Sequence, residues 1–257
     1  MDLALDRSCL ERYKSPVQQA RCLSENWAER NLYCPSCLRP KVSREKASTK
    51  VYDFTCPRCF QTYNLKASKK PFAGKVRDAE YHTFMTAIRS QTNPNLVLMR
   101  YDKPNLCVTD VEVIPRFFFS TSCVIPSAKT KPRLRNRPWQ GCDISLERVP
   151  SDGRVNLVQG GQILDPKRVN EKYTRTLQMM GKRTMEGRGW TSDVLRCVRD
   201  LHKSEFTLPE LYTYQNELSE LHPKNKFVAE KIRQQLQVLR KYGIVRFDGR
   251  GKYHLLQ

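Results

Sequence analysis

The stretch VYDFTCPRCFQTYNLK, residues 51–66, sets a Cys-x-x-Cys pair between an aspartate and an Asn-x-Lys. A second pair, Cys34-Pro-Ser-Cys37, precedes it with eighteen residues between the two. Each pair closes a tight knuckle, and together Cys34, Cys37, Cys56 and Cys59 supply a tetrahedral shell of four thiolates. Zinc is the ion that this donor set favours. Such a shell leaves no position for water, so the ion is expected to be structural, with folding coupled to its binding.

If Cys56 and Cys59 form the tip of a hairpin, residues 51–55 and 60–66 are its arms. Asp53 then falls opposite Asn64 to within one residue, and Asn64 and Lys66 share a face because strand side chains alternate. Asp53, Asn64 and Lys66 can thus converge on one spot. An acid, a second oxygen ligand and a lysine suit phosphodiester hydrolysis. The oxygens, Asp53 first, can hold Mg²⁺ beside the scissile phosphate, while the lysine stabilises charge or assists the attacking water.

The rest of the chain agrees with a polyanionic partner. Its 257 residues carry 46 Lys and Arg against 26 Asp and Glu, a formal charge of +20, which points to nucleic acid rather than to a small neutral substrate. A membrane is the weaker partner: no run of about 18 apolar residues is present, and MDLALDRSCLERYK lacks the order of a signal peptide. The expected location is therefore the cytoplasm. Ten cysteines would suggest disulfides in a small secreted protein, but the two paired motifs favour a metal in a reducing compartment. Cys9, Cys22, Cys107, Cys123, Cys142 and Cys197 lack such spacing and read as small buried hydrophobes.

Residues 15–30 carry Val17, Ala20, Leu23 and Trp27 at helical spacing, and residues 79–90 carry Tyr81, Phe84, Met85 and Ile88 likewise. NLVLMRY and VTDVEVI read as strands, so residues 1–182 form a mixed α/β domain. Residues 120–140 read as a basic loop or arm, and ISLERV and RVNLVQGG as a strand pair around PSDG. In KTKPRLRNRPW, residues 129–139, Lys129, Lys131, Arg133, Arg135 and Arg137 alternate with Trp139 in phase, a pattern that can follow a phosphate backbone. Residues 183–257 read as three helices, near 190–203, 207–221 and 226–242, then a strand pair, which is the order of a winged helix. The third helix and wing are strongly basic, whereas SEFTLPELYTYQNELSELH has four acids and no Lys or Arg. With Phe227, Ile232, Leu236 and Leu239 turned inward, Lys226, Lys231, Arg233, Gln234 and Gln237 can reach a major groove. Arg246, Arg250 and Lys252 in the wing can hold phosphates.

Asp53 and Asn64-Leu-Lys66 framed by the cysteine pairs, with GRGWT, SEFTL, EKIRQQLQ and GRGKY downstream, resemble the DpnI family of methyl-directed restriction endonucleases over nearly the whole chain. The resemblance implies a PD-(D/E)xK nuclease core with a structural zinc, Mg²⁺ as catalytic ion and a C-terminal winged helix. It further implies cleavage of duplex DNA at GATC carrying N6-methyladenine, with both domains reading the methylated site and Trp139 near the adenine methyls. A monomer is expected. The family motif has an acid where this chain has Asn64, so only Asp53 and Lys66 carry over unchanged. Glu25, Glu29, Asp78 and Glu80 are the nearby acids in sequence that could replace it. A cleavage-deficient reader of methylated DNA, or a winged-helix regulator, is the alternative.

Overall fold

The computed structural model describes residues 1–46, 52–131, 139–181 and 183–256. Helix α1 (Ser8–Arg12) leads into α2 (Pro16–Asn31), which starts with proline in its first turn, where a missing N–H costs nothing. Leu23, Trp27 and Ala28 of α2 are buried, but Val17 is 78 % exposed. The expected apolar stripe therefore begins later than its periodicity suggests, because the first turns of α2 face α1, where the Gln19 amide donates to the Leu10 and Tyr13 carbonyls. Cys9 and Cys22 are joined as a disulfide across that helix pair. This corrects their reading as isolated small hydrophobes: α1 folds back onto α2 and sets their Cα atoms 5.6 Å apart.

Strands β1 (Ser43–Arg44), β2 (Phe54–Thr55), β3 (Thr62–Ser68), β4 (Lys75–Glu80), helix α3 (Tyr81–Arg89), β5 (Asn95–Asp102) and β6 (Cys107–Ile114) follow. Then come β7 (Val124–Lys131), β8 (Trp139–Ser145), β9 (Val155–Gln159), β10 (Gln162–Ile163) and helix α4 (Pro166–Met180). The central sheet has the order β1-β2-β3-β5-β6-β9-β10, antiparallel throughout except for β3 and β5, which run parallel. A second sheet has the order β4-β8-β7; its strand β4 and helix α3 lie in the crossover between that parallel pair, whereas β7 and β8 follow β6.

Two expectations fail here. Much of 120–140 is strand rather than loop, since β7 and β8 pair with Lys131 opposite Trp139. The signal was hidden because β7 is an edge strand with a proline inside it, tolerated only where no ladder partner needs the N–H. Nor do β8 and β9 pair around PSDG: β8 belongs to the second sheet and β9 to the first. The turn at Ser151–Gly153 carries the chain between them, and it packs so closely that a Cβ on Gly153 would sit 2.8 Å from the Phe118 ring.

The C-terminal part comprises α5 (Met185–Asp200), β11 (Glu205–Thr207), α6 (Leu208–Tyr212), α7 (Gln215–Leu221), α8 (Val228–Lys241), β12 (Val245–Gly249) and β13 (Lys252–Leu255). Its sheet has the order β11-β13-β12, so helices and ribbon form a winged-helix arrangement, with the expected second helix split into α6 and α7. Ile232, Leu236 and Leu239 are fully buried as expected, whereas Phe227 is 70 % exposed. The reason is local: α8 begins at Val228, and Phe227 sits in its non-helical cap, outside the inward stripe Val228, Ile232, Gln235, Leu236 and Leu239.

One face of the central sheet packs on α2 and α4 through Val97, Met99, Leu23, Trp27 and Tyr173. On the other face Leu96 and Leu98 join α3, the second sheet and the C-terminal helices in a single apolar cluster that includes Phe118, Trp190, Val194 and Leu236. Arg199 clasps Asp152 with two bonds of 2.8 and 2.6 Å across the same junction. No helix among the described residues is long and apolar enough to cross a membrane. Leu236→Ala is expected to cost about 2–5 kcal/mol in denaturant unfolding, because it opens a cavity in this cluster. Phe227→Ala should change stability by no more than about 0.5 kcal/mol.

Candidate active site and metal centre

The two cysteine loops have the same shape. Leu38 N–H donates to the Cys34 carbonyl and Phe60 N–H to that of Cys56, both at 2.9 Å, and Leu38 and Phe60 share a left-handed backbone with φ 58°. Facing each other, the loops bring the Sγ atoms of Cys34, Cys37, Cys56 and Cys59 within 4.8 Å of one another. Cys34 and Cys56 are buried and their partners half-buried. Burial pushes the Cys34 thiol well above the usual thiol range, so a cation is what would hold it ionised. The Tyr63 hydroxyl lies 3.1 Å from Cys34 Sγ, and the Asn170 amide of α4 donates to the Pro35 and Ser36 carbonyls at 2.7 and 2.9 Å. Four soft donors with outer hydrogen bonds of this kind suit a closed zinc site.

The hairpin beneath this centre has the register the sequence suggests. Phe54 pairs with Tyr63, which sets Asp53 opposite Asn64, and Asp53 N–H donates to the Tyr63 carbonyl at 2.8 Å. Asp53 Oδ2 accepts the Leu65 N–H at 2.7 Å. Asn64 and Lys66 align with Leu96 and Leu98 of β5 and so face the second sheet. There Asp78 of β4 meets both: its Oδ1 accepts from Asn64 Nδ2 at 3.0 Å and from Lys66 Nζ at 2.8 Å. The Asp78 side chain is 1 % exposed, and its Oδ2 is buried with no hydrogen-bond partner among the described residues. Asp53, Asn64 and Lys66 therefore come together as expected. Asp78, one of the four acids near enough in sequence, is a buried member of the group. The alternation of Val76 and Asp78 on the buried face of β4 was the signal available for it.

The Asp53 carboxyl is held above the usual carboxylate range by burial, with Glu25 acting in the same direction and the Leu65 N–H, Lys66 and Arg21 opposing. The site thus contains a desolvated carboxylate, a lysine, an amide and an orphaned carboxylate oxygen. These are hard oxygen donors with unfilled capacity beside a cation, an environment that fits a small divalent ion.

The other expected contacts are spread over two surfaces. Trp139 is half-buried at the start of β8, its ring over Gly141, where a Cβ would lie 3.0 Å from the indole. Arg135 and Arg137, with Arg133, lie outside the described residues, as do the side chains of Lys129 and Lys131. Lys226, Arg233, Gln234 and Gln237 are exposed at and along α8, and Lys231 is half-buried. Arg246, Arg250 and Lys252 are exposed on the wing. Arg233 is engaged by Glu230 at 3.3 Å and Arg246 by Asp248 at 2.6 Å, so two of these cations are partly neutralised. Phe227, expected in the core, instead adds an exposed aromatic ring beside Lys226.

Stripping the metal with a chelator is expected to lower the melting temperature by about 10 °C or more, since about 1 kcal/mol corresponds to 2–4 °C at this size. Asp53→Asn tests the buried carboxyl. The folded protein binds that proton more tightly than the unfolded chain, so the destabilising contribution of Asp53 appears only as pH rises through its raised pKa. Without added divalent ion, Asp53→Asn should therefore raise the melting temperature by about 2–4 °C at pH 7 and leave it unchanged at pH 4.

A family model described as DpnI, the Dam-replacing family, matches residues 1–182, and one described as the Dam-replacing helix-turn-helix domain matches residues 186–255. The chain belongs to the DpnI family of methyl-dependent restriction endonucleases.

Proposed function

We propose that the protein is a two-domain, Mg²⁺-dependent endonuclease that cleaves duplex DNA at GATC sites carrying N6-methyladenine. In this reading residues 1–182 form a PD-(D/E)xK nuclease domain with a structural zinc, and residues 183–257 a winged helix that binds the same DNA. The observation that carries it is the convergence of Asp53, Asn64 and Lys66 on one face of β2 and β3, in a chain whose family is one of nucleases.

The roles follow from chemistry. Asp53 and the Asn64 amide oxygen would hold the ion; the Nδ2 of Asn64 is already spent on Asp78, which leaves its oxygen as the available donor. A bound Mg²⁺ supplies Lewis acidity beside the scissile phosphate. Lys66, on the same face, is placed to stabilise charge developing on the phosphate or to orient the attacking water. Asn64 is the weak element, since a neutral amide contributes less to cation binding than a carboxylate.

Recognition is divided between two basic surfaces. The strand ends Lys131 and Trp139 are paired in the second sheet, in which Gly141 pairs with Glu80. In the winged helix, α8 can enter the major groove, into which the N6-methyl groups project, with Lys226, Lys231, Arg233, Gln234 and Gln237 toward the bases and Arg246, Arg250 and Lys252 on phosphates. The expected partner is duplex DNA bound by one protomer in the cytoplasm.

Plasmid carrying N6-methyladenine at GATC should be cut in the presence of Mg²⁺ and left intact with EDTA, while unmethylated plasmid should be left intact in both. Methyl-selective binding with no cut at any Mg²⁺ concentration would overturn the nuclease reading in favour of a reader of methylated DNA. Lys66→Ala should abolish cutting while keeping binding, and Lys252→Ala should weaken binding to all sequences and reduce its salt dependence by about one ion.

A further inference from the structure

We infer that Asp78 supplies the second carboxylate of the divalent-cation site, in place of the acid that position 64 lacks. The inference rests on the nuclease reading above and names the residue that completes it.

The four acids near enough in sequence are separated by what they already do. Glu25 is committed to two guanidinium groups, accepting from Arg21 at 2.7 Å and pairing closely with Arg44. Glu29 is exposed on α2. Glu80 caps α3, accepting the His82 and Thr83 N–H groups at 3.1 and 2.8 Å and the Thr83 hydroxyl at 2.7 Å. Asp78 alone touches Asn64 and Lys66, and it does so with one oxygen. Its other oxygen is buried and unpartnered among the described residues.

A carboxylate at 1 % side-chain exposure with one oxygen unpartnered among the described residues is an expensive arrangement. Each unsatisfied buried acceptor costs about 1–3 kcal/mol, and such groups persist where something is meant to fill them. Lys66 supplies the countercharge in the ion-free protein. The backbone shows why Asp78 points here: it stands in regular register with β8, Val76 opposite Ile144 and Asp78 opposite Cys142, and the ladder slips only after it, so strand alternation turns it to the same buried face as Val76.

The consequence is a redistribution of charge. An acid at 64 would have put both carboxylates on the hairpin. Here one is on the hairpin, Asp53, and one on the facing sheet, with Asn64 Nδ2 donating to the second and holding it in place. Two negative charges again face the ion, and Lys66 still lies between them.

Titration of the full-length zinc-loaded protein with Mn²⁺, followed by calorimetry and by the electron paramagnetic resonance of the free ion, reads the site without catalysis. Wild-type protein should bind one Mn²⁺. Asp78→Asn, isosteric and able to keep the contact to Lys66 through its oxygen, should bind it at least tenfold more weakly. Asn64→Glu in the Asp78→Asn background should restore affinity to within about threefold, showing that the loss came from charge and not from misfolding. Unchanged Mn²⁺ affinity in Asp78→Asn, alongside its loss in Asp53→Asn, would overturn the assignment and leave the nuclease reading standing. Absence of Mn²⁺ binding by the wild-type protein, with no cut of methylated plasmid, would overturn both.

Discussion

Two Cys-x-x-Cys loops facing each other across the end of a hairpin are the constraint on which the remaining geometry depends. Strands β1 and β2 are each two residues long, far too short to hold a register by their own ladder. The cysteine cluster ties the tip of the β2–β3 hairpin to the loop that leaves α2, and Tyr63 and Asn170 extend the tie into the sheet and α4. Because a one-residue slip would turn every side chain of β3 to the opposite face, the position of Lys66 relative to Asp53 is set by this clasp. The cysteine cluster thus stands apart from the candidate active site but fixes its geometry.

The candidate active site lies where two sheets meet. The central sheet contributes Asp53, Asn64 and Lys66, and the second contributes Asp78. Bringing one buried and three half-buried polar groups together at this junction opposes folding: burial holds the Asp53 carboxyl up, and one Asp78 oxygen has no partner among the described residues. The apolar cluster around them, from Leu96 and Leu98 to Trp190 and Leu236, is what stabilises the arrangement. Sites that trade stability for preorganised charge are a common outcome of selection for activity.

That same cluster joins the C-terminal helices to the sheets that carry the candidate site. Trp190 and Val194 of α5 lie between Phe118 on one side and Leu236 of α8 on the other, and Arg199 and Asp152 add a two-bond clasp at the surface. The basic face of α8 is therefore presented in a set direction relative to the hairpin rather than on a free tether. The acids of α6 and α7 are engaged within the protein, Glu210 by Lys203 and Glu217 by Arg196.

Much of this was legible in the chain order. Four cysteines at paired spacing, a strand alternation that puts Asn64 and Lys66 on one face, and a helical stripe through Ile232, Leu236 and Leu239 are local patterns, and local patterns survive folding because they are set by backbone periods of 2 and 3.6. The misreadings were of another kind. Phe227 lies one residue outside the helix whose stripe it seemed to join, Cys9 and Cys22 meet only because α1 turns back on α2, and β7 is recognisable as a strand only beside β8. What the sequence alone determined was the hairpin framed by the two cysteine pairs, its three polar residues and the basic C-terminal helix. The tertiary structure decided which acid faces them, because Asp78 meets Lys66 only where the second sheet, its β4 paired with a strand more than sixty residues further on, packs against the central sheet, a relation that no local period encodes.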